Sequence, residues 1–183
     1  MAEDKPRFGG SLLTSDVNIG NQTGVEWTEK IIAELKSMPN VTVKNRSQVF
    51  GYYDHNMLVM SERISDHLPK TQKYLPKQRL WYIRANEVLI SSGSIERPLV
   101  FGNNDTPGVM LSSAAKEYMK VYGVLVGKKP LIFTNNDSGY ETAIEFKKNG
   151  VNPIILDTRS NPSSDIITEA KNLNIKIKFS YVV

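Results

Sequence analysis

The spacing of apolar residues divides the first half of the chain into one helix and several strands. A capping box that starts at Thr23 precedes apolar residues at every fourth position, which predicts an amphipathic helix. The runs 41–53 and 57–64 are rich in β-branched and aromatic residues and flank a turn, so they predict a returning pair of strands. Residues 79–93 add one or two more strands, of which the last contains Val88–Ile90. The pattern predicts a helix followed by an antiparallel excursion.

In the second half of the chain, the pattern predicts strands and helices that alternate. A turn-rich joint at 103–109 leads to a predicted helix at 112–123, with Gly123 as its stop. From there the predicted order is strand 129–134, helix 138–149, strand 152–157, helix 163–174 and strand 175–183. Consecutive strands joined through helices require a parallel sheet, so the predicted fold class is α/β.

Composition narrows the classes of protein and of site. The chain has 183 residues, 40% of them hydrophobic and 23% charged, which is enough for one domain with a core or for parts of two. It has no 18-residue apolar span, no apolar h-region near its start and no Cys. Disulfides and thiolate metal sites are therefore excluded, and we expect a cytoplasmic protein without a membrane partner.

Charge points to no nucleic-acid partner. The formal net charge is +4, and the basic residues are spread along the chain. Their one local concentration lies between prolines, which favours a solvated loop over a binding surface. It consists of Lys70, Lys73, Lys77 and Arg79. The two histidines, His55 and His67, follow no metal-ligand pattern, so no metal site is predicted.

The turn "TNNDSGY" at 134–140 has the position of a dinucleotide-binding turn but only one of its glycines, Gly139. Asp157 closes the following strand about 20 residues on, where an acid that binds ribose is usual. Asparagines tolerate left-handed backbone angles, so such a turn can form without more glycine. Asp137 would repel a phosphate. Two interpretations stay open, a structural turn without phosphate and a working phosphate site.

A second candidate site lies at the start of the chain. Glu3-Asp4-Lys5 is followed by Gly9-Gly10-Ser11, and a carboxylate at a strand end can accept hydrogen bonds from both ribose hydroxyls. By spacing alone, a frayed terminal tail is an equal alternative. Ser92-Gly93 follows the apolar run 88–90 and is compatible with a cofactor packed on the backbone or with a simple turn.

Long stretches of the chain resemble one known family. "FGYYDHN", "ERPLVFGNNDTPGVML" and "TNNDS" look like the corresponding stretches of the α subunit of heterotetrameric sarcosine oxidase, and the resemblance covers nearly the whole chain. It implies a flavoprotein-like fold with two dinucleotide-binding domains, truncated at both ends. Residues 1–105 would be the C-terminal part of the first domain, without its glycine-rich turn, and 106–183 the N-terminal part of the second, Rossmann-like domain.

The resemblance also implies an activity and its cofactors. The family's enzyme oxidatively demethylates sarcosine to glycine, forms hydrogen peroxide and passes the one-carbon unit to tetrahydrofolate. FAD, FMN and the folate belong to the whole complex, whereas the α subunit holds a non-covalent NAD. The implied partners are the β, γ and δ subunits. Two further readings remain, a non-catalytic nucleotide-binding or structural module and a subunit of a related amine dehydrogenase.

Five site residues follow from the resemblance in the first domain. Glu3, Asp4 and Lys5 match the family's acidic stretch at a strand end, which meets the adenosine ribose. Ser11 matches the residue after the Gly-Gly pair, and Val49 the position whose backbone can meet the adenine edge. The contact of Lys5 falls where the family varies.

Ser92 and Gly93 stand where related flavoproteins have Ala-Thr-Gly, which implies a packing contact with the cofactor. None of the matched positions is an acid, base or nucleophile for catalysis, so we expect the isolated chain to be inactive. Its cut sheet edge and apolar faces predict that it self-associates.

Overall fold

The computed structural model describes residues 1–70 and 73–182. The chain forms two compact units, a first unit at Met1–Gly93 and a second unit at Ser94–Val183. The boundary predicted from the sequence lies at 105/106, within the turn-rich segment that belongs to the second unit. The assignment of the two units to two dinucleotide-binding domains stays a prediction.

The first unit begins with a small hairpin and a capped helix. Strands β1 (Asn18–Ile19) and β2 (Gln22–Thr23) pair antiparallel and lead into α1 (Gly24–Ser37). The capping box is formed, because the Thr23 amide donates to Glu26 Oε2 (2.8 Å) and the Glu26 amide donates to Thr23 Oγ1 (3.3 Å). The predicted helix is confirmed.

An antiparallel sheet follows, with the strand order β3-β4-β5. Its strands are β3 (Ser47–Tyr53), β4 (Met57–Arg63) and β5 (Gln78–Arg84). The central strand has the best-buried hydrophobic side chains of the sheet, those of Val59 and Met60, because it has a paired strand on each side. The sheet confirms the predicted antiparallel excursion, although β3 starts at Ser47 rather than at 41.

The predicted strand at Val88–Ile90 is wrong. None of residues 85–111 is in a helix or a strand, and Leu89 is 92% exposed. A strand needs a neighbour for its backbone N–H and C=O groups, and none of the described strands lies beside this run. The apolar, β-branched composition reported only a preference for an extended backbone.

The second unit has the predicted alternation of strands and helices. It contains α2 (Ser112–Tyr122), β6 (Leu131–Thr134), α3 (Ser138–Lys148), β7 (Ile154–Asp157), α4 (Asp165–Asn172) and β8 (Lys176–Lys178). The three strands are parallel in the order β6-β7-β8, which confirms the predicted parallel sheet. Its core consists chiefly of Met119, Ile132, Tyr140, Ala143, Ile144, Phe146, Ile155 and Ile167.

Candidate functional site

Glu3 directly follows an isolated parallel bridge in the first unit. Ala2 forms a parallel bridge with Lys44, supported by the Glu3 amide donating to the Lys44 carbonyl (2.9 Å). Beyond the bridge, two backbone hydrogen bonds join the same segments: the Ser47 amide donates to the Glu3 carbonyl (2.8 Å), and the Arg46 amide donates to the Lys5 carbonyl (3.1 Å). We call residues 1–5 and 44–47 the first-unit ladder. The backbone at Glu3 is therefore held by hydrogen bonds, which differs from the frayed terminal tail that spacing alone left open.

Glu3 is half-buried just after this bridge. Its Oε1 accepts the amide of Lys5 (3.0 Å), which holds the side chain beside its own backbone. In open α/β sheets, ligands bind outside the carboxyl ends of parallel strands, and an acid there accepts the hydroxyls of a ribose. Glu3 has the chemistry for that contact, but it follows a single bridge rather than a strand, and its contact with a ribose stays a prediction.

The chain just after Glu3 requires its glycines. Gly9 has φ 129° and Gly10 has φ 50°, a region that side chains other than glycine rarely enter. A Cβ on Gly9 would lie 3.0 Å from a methyl of Leu13 and 3.3 Å from one of Thr28. Gly9 therefore allows close packing between the following 3₁₀ turn and α1. Ser11 lies in that turn, where its carbonyl accepts the Thr14 amide (3.1 Å).

Val49 lies two residues beyond the ladder contact of Ser47. It is 43% exposed and opposes Met60, and the register shifts between Val49 and Gly51. The fold therefore brings Glu3 and the start of β3 together through the Ser47 amide. Asp4 and Lys5 are exposed at the same end.

Ser92 and Gly93 are not positioned by a strand. Both are exposed in the irregular segment that follows Val88–Ile90, and Gly93 has φ 68°. The expectation that they close a strand is wrong for the reason given above. Their contact with a cofactor stays a prediction.

The turn between β6 and α3 is stabilised by its own side chains. Thr134 Oγ1 donates to the Asn136 carbonyl (2.9 Å), and Asn136 Oδ1 accepts both the Ser138 amide (3.0 Å) and the Ser138 hydroxyl (2.7 Å). A phosphate at a helix N-terminus is bound by free amides of the first turn. At least one of these amides is already satisfied here.

Gly139 lets the helix approach the strand closely. A Cβ at this position would lie 2.8 Å from Thr134 Cβ, 2.9 Å from Thr134 Oγ1 and 3.2 Å from Ile132 Cγ2. Close packing of helix and strand is the role of the last glycine in a dinucleotide-binding turn. The turn therefore keeps the packing glycine but not those that bring the backbone to a pyrophosphate.

Asp157, at the end of β7, has a fully occupied carboxylate. Its Oδ2 accepts the Tyr140 hydroxyl (2.7 Å) and Arg159 Nη2 (2.8 Å), and its Oδ1 accepts the backbone amide (2.9 Å) and Nε (3.0 Å) of Arg159. Asp157 and Tyr140 are both 0% exposed. The Arg159 guanidinium also forms an ion pair with Asp137, Nη1 to Oδ1, at 2.8 Å. We call residues 134–140 and 157–159 the second-unit corner.

The ionisation of this cluster is set by its contacts. Burial alone would raise the pKa of Asp157, but hydrogen bonds from Arg159 and Tyr140 outweigh it and hold that pKa below its usual range. Burial, and then the hydrogen bond to Asp157, raise the pKa of the Tyr140 hydroxyl. Hydrogen bonds to Asp157 raise the pKa of Arg159. At neutral pH Asp157 is therefore a carboxylate, Arg159 a guanidinium and Tyr140 a neutral phenol.

The two candidate acids thus differ in availability. Glu3 is half-buried and its Oε1 accepts the Lys5 amide, whereas each oxygen of Asp157 has at least two donors. Sequence reasoning found Asp157 and Asp137 but missed Arg159. The one available signal was its spacing, two residues after a strand-ending acid, and this spacing does not distinguish a solvated side chain from a buried pair.

Within residues 1–70 and 73–182, no helix is long and apolar enough to cross a membrane. In the same ranges, no three His, Asp or Glu side chains are grouped so that they could hold a metal ion.

The fold is similar to that of solved flavin- and nicotinamide-dependent oxidoreductases. The L-proline dehydrogenase of P. horikoshii matches 90% of this chain and 31% of its own, with a TM-score of 0.65 and 20% identity. The water-forming NADH oxidase of Lactobacillus brevis, bound to NADH, matches 93% of this chain and 36% of its own, with a TM-score of 0.52 and 11% identity. At these identities the likeness establishes the fold, an α/β dinucleotide-binding type.

Sequence comparison is more specific. No family model matches the chain. The sarcosine oxidase subunit alpha of Rhizobium meliloti is 43% identical over 152 residues, which are 82% of this chain and 15% of that protein. Its counterpart from Corynebacterium sp. strain P-1 is 32% identical over 185 aligned positions, covering 100% of this chain and 19% of that protein. The chain therefore belongs with the α subunits of sarcosine oxidase and spans 15–19% of the length of these two relatives.

Proposed function

We propose that the chain serves as part of the nucleotide-binding scaffold of a sarcosine oxidase α subunit, and that its first unit contributes the ribose-binding side of an NAD site. The observation that carries the proposal is half-buried Glu3, an acid held by backbone hydrogen bonds just after the parallel bridge of Ala2 with Lys44. Its two oxygens are suited to accept hydrogen bonds from the two ribose hydroxyls. Asp4 and Lys5 lie beside it, and the Val49 backbone offers an edge for adenine.

Within the larger enzyme, this scaffold supports the oxidative demethylation of sarcosine to glycine with formation of hydrogen peroxide. FAD and FMN supply the redox chemistry, tetrahydrofolate takes the one-carbon unit as its methylene derivative, and β, γ and δ subunits complete a cytoplasmic heterotetramer. The residues of this chain bind and orient rather than react. We assign none of the seven predicted site residues a role as an acid, base or nucleophile in catalysis.

The isolated chain should bind NAD weakly. It contains no glycine-rich turn between a strand and its ribose-binding acid, so the main cradle for the pyrophosphate is not among its residues. We expect an NAD dissociation constant above the micromolar range and no sarcosine-dependent hydrogen peroxide from this chain alone. Micromolar binding by calorimetry would contradict this expectation.

The ribose contact is tested by Glu3→Gln, with Glu34→Gln on α1 as the matched control. A hydrogen bond to a charged group contributes about 1.5–3 kcal/mol, and tenfold in affinity corresponds to about 1.4 kcal/mol. We expect Glu3→Gln to weaken ADP-ribose binding at least about tenfold, measured by saturation-transfer NMR, and Glu34→Gln to leave it unchanged. Equal affinities for the two variants would refute the role of Glu3.

A further inference from the structure

The guanidinium of Arg159 lies between the two carboxylates of the second-unit corner. Its Nε and Nη2 donate to the Asp157 carboxylate as a bidentate pair, and its Nη1 lies 2.8 Å from Asp137 Oδ1. Asp137 stands at the N-terminus of α3, and Asp157 at the carboxyl end of β7. Arg159 therefore spans from a helix N-terminus to a strand end.

Those two points are the ones that a dinucleotide spans in a corner of this topology. The pyrophosphate lies at the helix N-terminus, and the ribose lies at the acid that ends the second strand. Asp157 cannot accept ribose hydroxyls while its oxygens accept Arg159 and Tyr140. Two carboxylates against one guanidinium also leave the cluster with a net charge of about −1, which repels a phosphate.

We infer that the Arg159 side chain occupies the nucleotide-binding position of the second-unit corner. It thereby prevents nucleotides from binding there and restricts nucleotide binding to the first unit. The side chain is 31% exposed, so the guanidinium lies at the surface of the corner rather than deep in the core. This inference rests on the proposed function only in assigning the nucleotide to the first unit. Arg159 acts here as a specificity-determining residue.

The test uses the 183-residue chain, its Arg159→Ala variant and an Arg159→Ala, Asp137→Asn double variant. Arg97→Ala is the control, because it removes an exposed arginine from the same unit. Amide exchange is measured with and without millimolar ADP-ribose. We expect no protection of the second-unit corner in the parent chain. In the double variant we expect exchange at 157–159 to slow about twofold once the ligand concentration equals its dissociation constant.

Protection of 134–140 or 157–159 by ADP-ribose in the parent chain would overturn the inference. A folded double variant in which ADP-ribose does not slow exchange at 157–159 would overturn it too. The same experiment reports the first-unit ladder separately, so a failure of the proposed NAD site appears at 1–5 and 44–47 and is distinguishable from a failure here.

A second signature is chemical rescue. Low-millimolar guanidinium chloride, but not sodium chloride, should raise the thermal midpoint of Arg159→Ala, which we expect to lie at least about 5 °C below that of the parent. Guanidinium should also compete with ADP-ribose in the double variant. If Arg159→Ala does not fold without additive, refolding in guanidinium chloride but not in sodium chloride supports the inference. Equal behaviour in the two salts contradicts it.

Discussion

Replacing Asp157 by Ala tests the polar cluster that organises the second unit. The change removes the acceptor of the buried Tyr140 hydroxyl and of three donors on Arg159. Breaking a buried ion pair costs about 3–5 kcal/mol, and an unsatisfied buried hydroxyl costs about 1–3 kcal/mol. Arg159 keeps Asp137 and is partly solvated, which places the expected loss near the lower end, at about 3 kcal/mol.

The free energy of opening of the second unit can be measured by amide exchange in β6 and β7 as a function of urea. Tryptophan fluorescence does not report it, because both tryptophans, Trp27 and Trp81, lie in the first unit. That signal follows the first unit in the same samples. Asp105→Ala, which removes an exposed carboxylate of the second unit, is the matched control. A loss below about 1 kcal/mol for Asp157→Ala would refute the account of the cluster.

Four further predictions concern Gly139, Glu96, the ionisation of Asp157 and the exposed apolar strands. Gly139→Ala should destabilise the second unit by about 1 kcal/mol in urea denaturation, because overpacking against Thr134 exceeds the gain in helix propensity, whereas Gly127→Ala, with open space around it, should be neutral. Glu96→Ala should lower the helicity of α2 in circular dichroism and cost about 1 kcal/mol, because Glu96 accepts the first two amides of that helix. The folded-state pKa of Asp157 is depressed, so its stabilising contribution should be present above about pH 4 and lost as the pH falls further, and acid titration of Asp157→Ala should lack this loss. Light scattering should show self-association of the isolated chain, and a clean monomer would contradict its exposed apolar strands.

Local signals in the sequence were sufficient for most elements. The capping box at Thr23 fixed the start of α1, and the alternation of strands and helices after residue 130 indicated the parallel sheet. These features depend on residues close in sequence. Val88–Ile90 has the composition of a strand but lacks a neighbouring strand to accept it, and pairing is a property of the fold that composition does not contain.

For the candidate site, too, some features follow from local sequence and others do not. The position of Asp157 at a strand end could be predicted, because an apolar run precedes it in a parallel sheet. For Glu3, spacing alone left a frayed tail as an equal alternative. The different availability of the two acids could not be predicted. It depends on Arg159 and Tyr140, which reach Asp157 from beyond β7 and from α3, and such a meeting requires the assembled unit.

The central claim is that nucleotide contacts belong to the first unit and not to the second. The most direct measurement is an amide-exchange map of the 183-residue chain with and without millimolar NAD. We predict slower exchange at 1–5 and 44–49 and no change at 134–140 and 157–159. Slower exchange at the second-unit corner, with the first-unit ladder unaffected, would contradict the claim.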